Sequence, residues 1–255
     1  MSRPARTAER APVARRRHED AVHAAVGVVG ELLITLGVVI GLFVVWQLWW
    51  TDVAAGRTQD RLIAQLDWPE PAPPATTGSP GPYLRTDEPP VLDEGELDGG
   101  VLALLSVPRW GGADPVTIMQ GVDKATVLDT GSGGHYPETA MPGGWGNFAI
   151  AGHRTTYGKP FHRIAELGEG DALVVRTREV WYVYRVTAHR IVEPDQVEVV
   201  APVPDDPTAV PTARTITLTA CHPMYSARQR YVVHGLLEGW LPVADGAPAA
   251  LTGGA

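Results

Sequence analysis

The stretch LLITLGVVIGLFVVWQLWW (Leu32–Trp50) constrains this chain more than any other feature. It is nineteen residues long, carries no charge, and only Thr35 and Gln47 in it are clearly polar. In lipid every backbone N–H and C=O of such a segment must be satisfied internally, which a helix achieves and an irregular segment does not. At ~1.5 Å per residue it spans roughly 28 Å, the thickness of a bilayer's hydrocarbon core. Trp46, Trp49 and Trp50 at its far end suit an interfacial aromatic belt. Six arginines (Arg3, Arg6, Arg10, Arg15, Arg16 and Arg17) precede the run. The positive-inside rule therefore places residues 1–31 in the cytoplasm and everything after Trp50 outside. A cleaved signal peptide is the rival reading, because Val53-Ala54-Ala55 offers small residues at a cleavage-like spacing. Secretory apolar cores usually run only about 7–15 residues. The expectation is an uncleaved anchor at residues 32–50, single-pass and type II in the cell membrane.

Charge then bounds the partners. The chain has 21 Lys+Arg against 29 Asp+Glu, a formal net charge of −8. Since the arginine block lies at the N-terminus, the part beyond the anchor is more acidic still. Binding nucleic acid needs clustered cations, so nucleic acid is not expected as a partner. Cys221 is the only cysteine and cannot form an internal disulfide. It is a structural thiol, an intermolecular partner or a reactive group.

Beyond the anchor, Thr51–Trp68 reads as a short helical continuation. Pro69–Gly100 is rich in Pro, Gly and acidic residues, and residues 51–100 together are expected to form a stalk and semi-rigid linker. From Val101 the texture changes to β-type runs: Val101–Val107, Val116–Met119, Asn147–Gly152, Ala172–Arg176, Val180–Ala188, Arg214–Cys221 and Tyr231–Trp240. They are rich in β-branched and aromatic residues and separated by Gly/Pro/Asp turns, which points to an all-β barrel or sandwich over residues 101–242. Thr130–Gly146 reads as an ordered loop with a helical turn, and residues 243–255 as a disordered tail.

The chemistry gathers around TLTACHPMYSARQR (Thr217–Arg230). If Arg214–Cys221 and Arg230–Trp240 form a hairpin, Cys221 and Arg230 face each other at its mouth. Ile216, Leu218 and Ala220 alternate with Thr215, Thr217, Thr219 and Cys221, so the thiol lies on the face opposite the apolar set. A thiolate is a nucleophile. A guanidinium cannot act as a base, so Arg230 suits oxyanion or carbonyl binding, with Arg228 as its rival. The imidazole comes from elsewhere. His153 ends the apolar strand NFAIAGHR (Asn147–Arg154), while His222 adjoins the cysteine and points the other way as its immediate neighbour; a satisfied structural histidine is also open for either. No CxxC, HxxxH or HExxH spacing supports a metal.

These residues match a family. TLTACHP with an arginine nine residues after the thiol resembles the sortase signature, NFAIAGHR resembles the sortase histidine segment, and Gly133–Phe161 looks like the class E sortases of actinobacteria. The resemblance implies a closed sortase β-barrel of about eight strands, preceded by one transmembrane helix and the Pro-rich linker. It implies a cysteine transpeptidase with His153, Cys221 and Arg230 as catalytic residues and no cofactor. Such an enzyme cleaves a sorting signal between Thr and Gly and passes the thioester-bound protein to a cell-wall amine. Its partners are secreted proteins bearing the signal and a peptidoglycan precursor or cross-bridge amine; class E members are associated with L-A-x-T-G signals. Tyr136 is either a substrate-specificity residue or a loop tyrosine packed on the barrel. Ala220 stands where many sortases have Thr, and His222 replaces residues such as Asn. The competing readings are another cell-wall cysteine transpeptidase of the L,D type, which carries a different cysteine segment, and a catalytically silent peptide-binding barrel.

Overall fold

The computed structural model describes residues 13–72, 82–92, 100–111 and 114–252. Arg3, Arg6 and Arg10, residues 73–81 and 93–99 of the expected linker, and residues 253–255 of the expected tail lie outside them. The chain forms two compact units, Met1–Trp49 and Trp50–Ala255.

In the first unit helix α1 (Val13–Gln65) begins and carries the apolar run. Leu32, Leu33, Ile34, Leu36, Leu42 and Phe43 all stand exposed. The helix is long and apolar enough to cross a membrane.

The second unit is a closed eight-stranded barrel. Its strands are β1 (Val101–Ser106), β2 (Val116–Gln120), β3 (Gly133–His135), β4 (Gly146–Ala151), β5 (Ala172–Arg176), β6 (Val180–Val192), β7 (Arg214–His222) and β8 (Gln229–Pro242). They close in the order β1-β2-β3-β4-β7-β8-β6-β5. The pairs β2–β3 and β4–β7 are parallel, and the remainder are antiparallel. Side chains that alternate inward, among them Phe148, Ile150, Leu173, Val175, Tyr182, Tyr184, Ile216, Leu218 and Val233, fill the interior. The Tyr184 hydroxyl accepts the Gly143 N–H at 2.9 Å, and burial pushes its ionisation well above the usual phenol range.

Strand β3 is absent from the sequence reading, where it falls inside an expected loop. Two of its three residues are glycines, which have no strand propensity to signal. Packing requires them: a Cβ on Gly133 would lie 2.7 Å from Ile118 Cδ1, and one on Gly134 only 2.4 Å from the Gly121 carbonyl oxygen.

Two expectations need correction. The described part of residues 51–100 is no free spacer. The last turns of α1 lie on the barrel: Ala55 is buried, and Gln59 Oε1 accepts from the Thr117 N–H and hydroxyl at 3.1 and 2.8 Å. Gln59 Nε2 donates to Ser132 Oγ at 2.9 Å. Trp68 sits 5.7 Å from the Arg176 guanidinium, whose other ring neighbour, Trp181, is at 5.3 Å. Residues 82–92 form a strap: Arg85 and Trp240 exchange both backbone hydrogen bonds, Tyr182 donates to the Pro90 carbonyl at 2.8 Å, and Arg214 pairs with Glu88 at 3.0 Å. The proline-rich composition stiffens the strap without preventing it from docking.

The second correction concerns the tail. Val243 is buried, Ala249–Thr252 form the short helix α2, and Ala247, Ala250 and Leu251 pack on Ala172, Val174, Trp181, Val183 and Leu241. The outer face of this part of the barrel is apolar, and covering it offsets the entropy of ordering the tail.

Candidate active site

The thiol is set by a hairpin. Strands β7 and β8 pair antiparallel with Cys221 opposite Arg230 and His222 opposite Gln229. Ile216, Leu218 and Ala220 face the core, and Cys221, partly exposed, lies on the other face at the strand's end. Arg230 Nη1 donates to the carbonyls of Ala227 and Gln229, both at 3.0 Å. These bonds anchor one arm of the fork to the hairpin loop, and the other N–H groups make no hydrogen bond among the described residues. Arg228 is exposed, and its backbone N–H bonds the Ser226 hydroxyl at 3.3 Å.

His153 arrives on the neighbouring strand. β4 runs parallel to β7 with Ala151 beside Thr219, and the Gly152 N–H continues the ladder onto the Thr219 carbonyl at 3.0 Å. His153 lies two residues beyond Ala151, as Cys221 lies two beyond Thr219, so both strands deliver their functional residue at the same end of the barrel. The Phe161 N–H ties the His153 carbonyl at 3.0 Å. The imidazole Nε2 lies 2.8 Å from Asp129 Oδ1, and the Tyr157 ring stacks on it at 5.2 Å.

Between the two strands sits Arg154, only 7% exposed. Its Nη1 donates to His222 Nδ1 at 2.9 Å and to the Cys221 carbonyl at 3.4 Å, and the guanidinium stands 5.4 Å over the Tyr231 ring. A guanidinium has no lone pair to offer, so His222 Nδ1 must be the acceptor. Arg154 thus holds the His222 ring through Nδ1.

The Tyr136 hydroxyl lies 3.0 Å from Thr219 Oγ1, on the face of β7 that ends at Cys221, and its backbone N–H bonds the Ala149 carbonyl at 2.9 Å. His189 is exposed and stacks on Tyr231 at 5.8 Å. His234 lies deeper, with Nδ1 2.9 Å from the Thr217 hydroxyl. Burial holds its ionisation below the ordinary imidazole value, opposed by Asp205 and assisted by Arg190. Beside the hairpin loop, Glu193, His222, Pro223, Arg228 and Gln229 line a cleft of about 400 Å³. No cluster of three or more His, Cys, Asp or Glu suited to a metal occurs among the described residues.

Sequence reasoning singled out Cys221, Arg230 and His153 and missed Asp129 and Arg154. Arg154 stands in the quoted histidine segment. Neither residue carries a local signal, because the Arg154 contact to the Cys221 carbonyl spans 67 residues and the Asp129 contact to His153 spans 24.

Comparisons with known proteins point to one family. Residues 105–238 match the Sortase domain family model. The chain is 36% identical to sortase SrtE1 of Streptomyces coelicolor, over 93% of this chain and 64% of that protein. It therefore spans less than two thirds of SrtE1. It is also 36% identical to SrtE2 of the same organism, over 88% of this chain and 86% of that protein. Among solved structures, the SrtA sortase from Actinomyces oris superposes with a TM-score of 0.63 at 44% identity, covering 67% of this chain and 97% of that one. Sortase E1 from Streptomyces coelicolor, solved with a tripeptide in its active site, gives 0.56 at 38% identity, covering 60% and 97%. A family match over more than half of the residues, with a 36% identical relative covered nearly end to end, settles the kinship: the chain belongs to the sortase family, whose members are cysteine transpeptidases.

Proposed function

We propose that the protein is a membrane-anchored class E sortase, with residues 32–50 as a type II anchor and the barrel outside the cell. It cleaves a C-terminal sorting signal, L-A-x-T-G, between Thr and Gly and transfers the protein to a cell-wall amine. The observation that carries this reading is the register of Cys221 opposite Arg230, beside a parallel strand that ends at His153. The tripeptide in the active site of the Streptomyces coelicolor relative supports a peptide ligand in the corresponding place.

In this mechanism the Cys221 thiolate attacks the Thr carbonyl carbon, and the carbonyl electrons move to oxygen. The unpaired N–H groups of Arg230 bind that oxyanion. As the intermediate collapses the C–N bond breaks, the Gly nitrogen takes a proton from the His153 imidazolium, and a thioester remains on Cys221. The incoming amine then attacks the thioester, His153 accepts its proton, and the thiolate leaves. Tyr136 would contact the signal through the hydroxyl it now directs at Thr219.

Paired fluorogenic peptides test the assignment, one with L-A-x-T-G and one with L-P-x-T-G, using the full chain in detergent and its Cys221→Ala variant. The expected result is Thr–Gly cleavage that prefers the alanine peptide and vanishes in the variant. Failure to cleave either peptide, with a glycine-type amine supplied, would favour a barrel that only binds peptides.

A further inference from the structure

The geometry points to Asp129 as the positioning residue of His153, fixing which ring nitrogen faces the substrate. This inference rests on the transpeptidase reading above. His153 Nε2 lies 2.8 Å from Asp129 Oδ1. A carboxylate only accepts hydrogen bonds, so Nε2 carries the hydrogen and Nδ1 is the nitrogen left to exchange a proton with the substrate amine. When Nδ1 is protonated, the imidazolium charge stays in contact with the carboxylate. The side chains are 18% and 21% exposed, sheltered enough for the pair to hold a geometry and open enough for the ring to reach a ligand.

Both supports of the ring are themselves held. The Asp129 N–H bonds the Lys124 carbonyl at 2.7 Å, and the Thr130 hydroxyl bonds the Val127 carbonyl at 2.6 Å. Gln59 of α1 donates to the Thr130 carbonyl at 3.4 Å and to Ser132 Oγ at 2.9 Å, fixing the chain just after Asp129. On the other side of the imidazole, Tyr157 stacks at an interplanar angle of 27°. Its loop is pinned by Asp52, which accepts from the Gly158 N–H at 3.0 Å and from Lys159 Nζ at 2.8 Å. The carboxylate that orients the ring and the ring that limits its rotation thus hang on the same end of α1. His153 does not reach its geometry from β4 alone.

The test combines kinetics with a direct view of the ring. In the full chain in detergent, Asp129→Ala should lower kcat roughly 10- to 100-fold with KM nearly unchanged, since positioning a general acid governs proton transfer and not peptide binding. Asp129→Asn keeps an acceptor oxygen for Nε2–H and should recover much of that loss. In the long-range 1H–15N spectrum, neutral His153 of the unmodified protein should show the hydrogen on Nε2. Asp129→Asn should retain this signature and Asp129→Ala should lose it. An Asp129→Ala enzyme within twofold of the parent, or faster, would overturn the inference, as would a parent spectrum with the hydrogen on Nδ1. The spectrum needs no substrate, so a parent that cleaves no peptide counts against the functional reading while the pairing is still decided.

Discussion

A guanidinium opposite a thiol does a different job from an ammonium in the same place. Arg230 spends one arm of its fork on the carbonyls of Ala227 and Gln229, which aims the remaining N–H groups, and a flexible lysine has no second arm to anchor. Arg230→Lys is therefore expected to lower kcat about 100- to 1,000-fold, the usual effect of removing an oxyanion donor. Steady-state kinetics on the alanine peptide would check this, and Arg228→Ala should stay within threefold of the parent; the reverse ranking would put the oxyanion role on Arg228. The Cys221–Arg230 pairing was legible in the sequence because strand periodicity fixes which residues face each other across a hairpin. Asp129 and Arg154 were not legible as site residues. They reach His153 and the Cys221 carbonyl across 24 and 67 residues of chain, and no local pattern encodes such contacts.

At the level of elements, the end of α1 works as a structural part of the barrel. Gln59 satisfies the backbone N–H and hydroxyl of Thr117, a residue with no solvent exposure, and reaches Ser132 and Thr130 as well. Replacing Gln59 by Ala leaves a buried N–H without its partner, which costs about 1–3 kcal/mol. The urea midpoint of the barrel unit, compared between the parent and Gln59→Ala, measures that loss; an unchanged midpoint would mean that α1 rests on the barrel without holding it. A fragment beginning at residue 69 removes this support altogether and is expected to unfold at lower urea than one beginning at residue 50. Composition hid the contact, because Thr51–Trp68 reads equally well as a solvated stalk helix. It also hid β3, whose glycines carry no strand signal, and the packed tail, whose Ala, Pro and Gly residues read as disorder. Seven of the strands were legible because β-branched and aromatic residues repeat along them between turn residues.

For the molecule as a whole, the strand composition left barrel and sandwich both open while the family resemblance implied a closed barrel of about eight strands, and the β1–β5 pairing closes the sheet into that barrel. Closure removes the exposed sheet edges that would otherwise invite pairing with another chain. Within the barrel the parallel pairing of β4 with β7 brings the His153 segment beside the Cys221 hairpin, an arrangement that a linear reading of short runs does not contain. The apolar segment of α1 is long enough to cross a membrane, as the anchoring proposed above requires. The central claim is that Cys221 carries the acyl group, and the most direct test is the intact mass of the full chain quenched in acid during turnover of an L-A-x-T-G peptide. The account predicts an adduct equal in mass to the peptide acyl fragment ending at Thr. It should map to Cys221, disappear when a glycine-type amine is added and be absent from Cys221→Ala. Cleavage that proceeds with no adduct on Cys221, or that persists in Cys221→Ala, would contradict it.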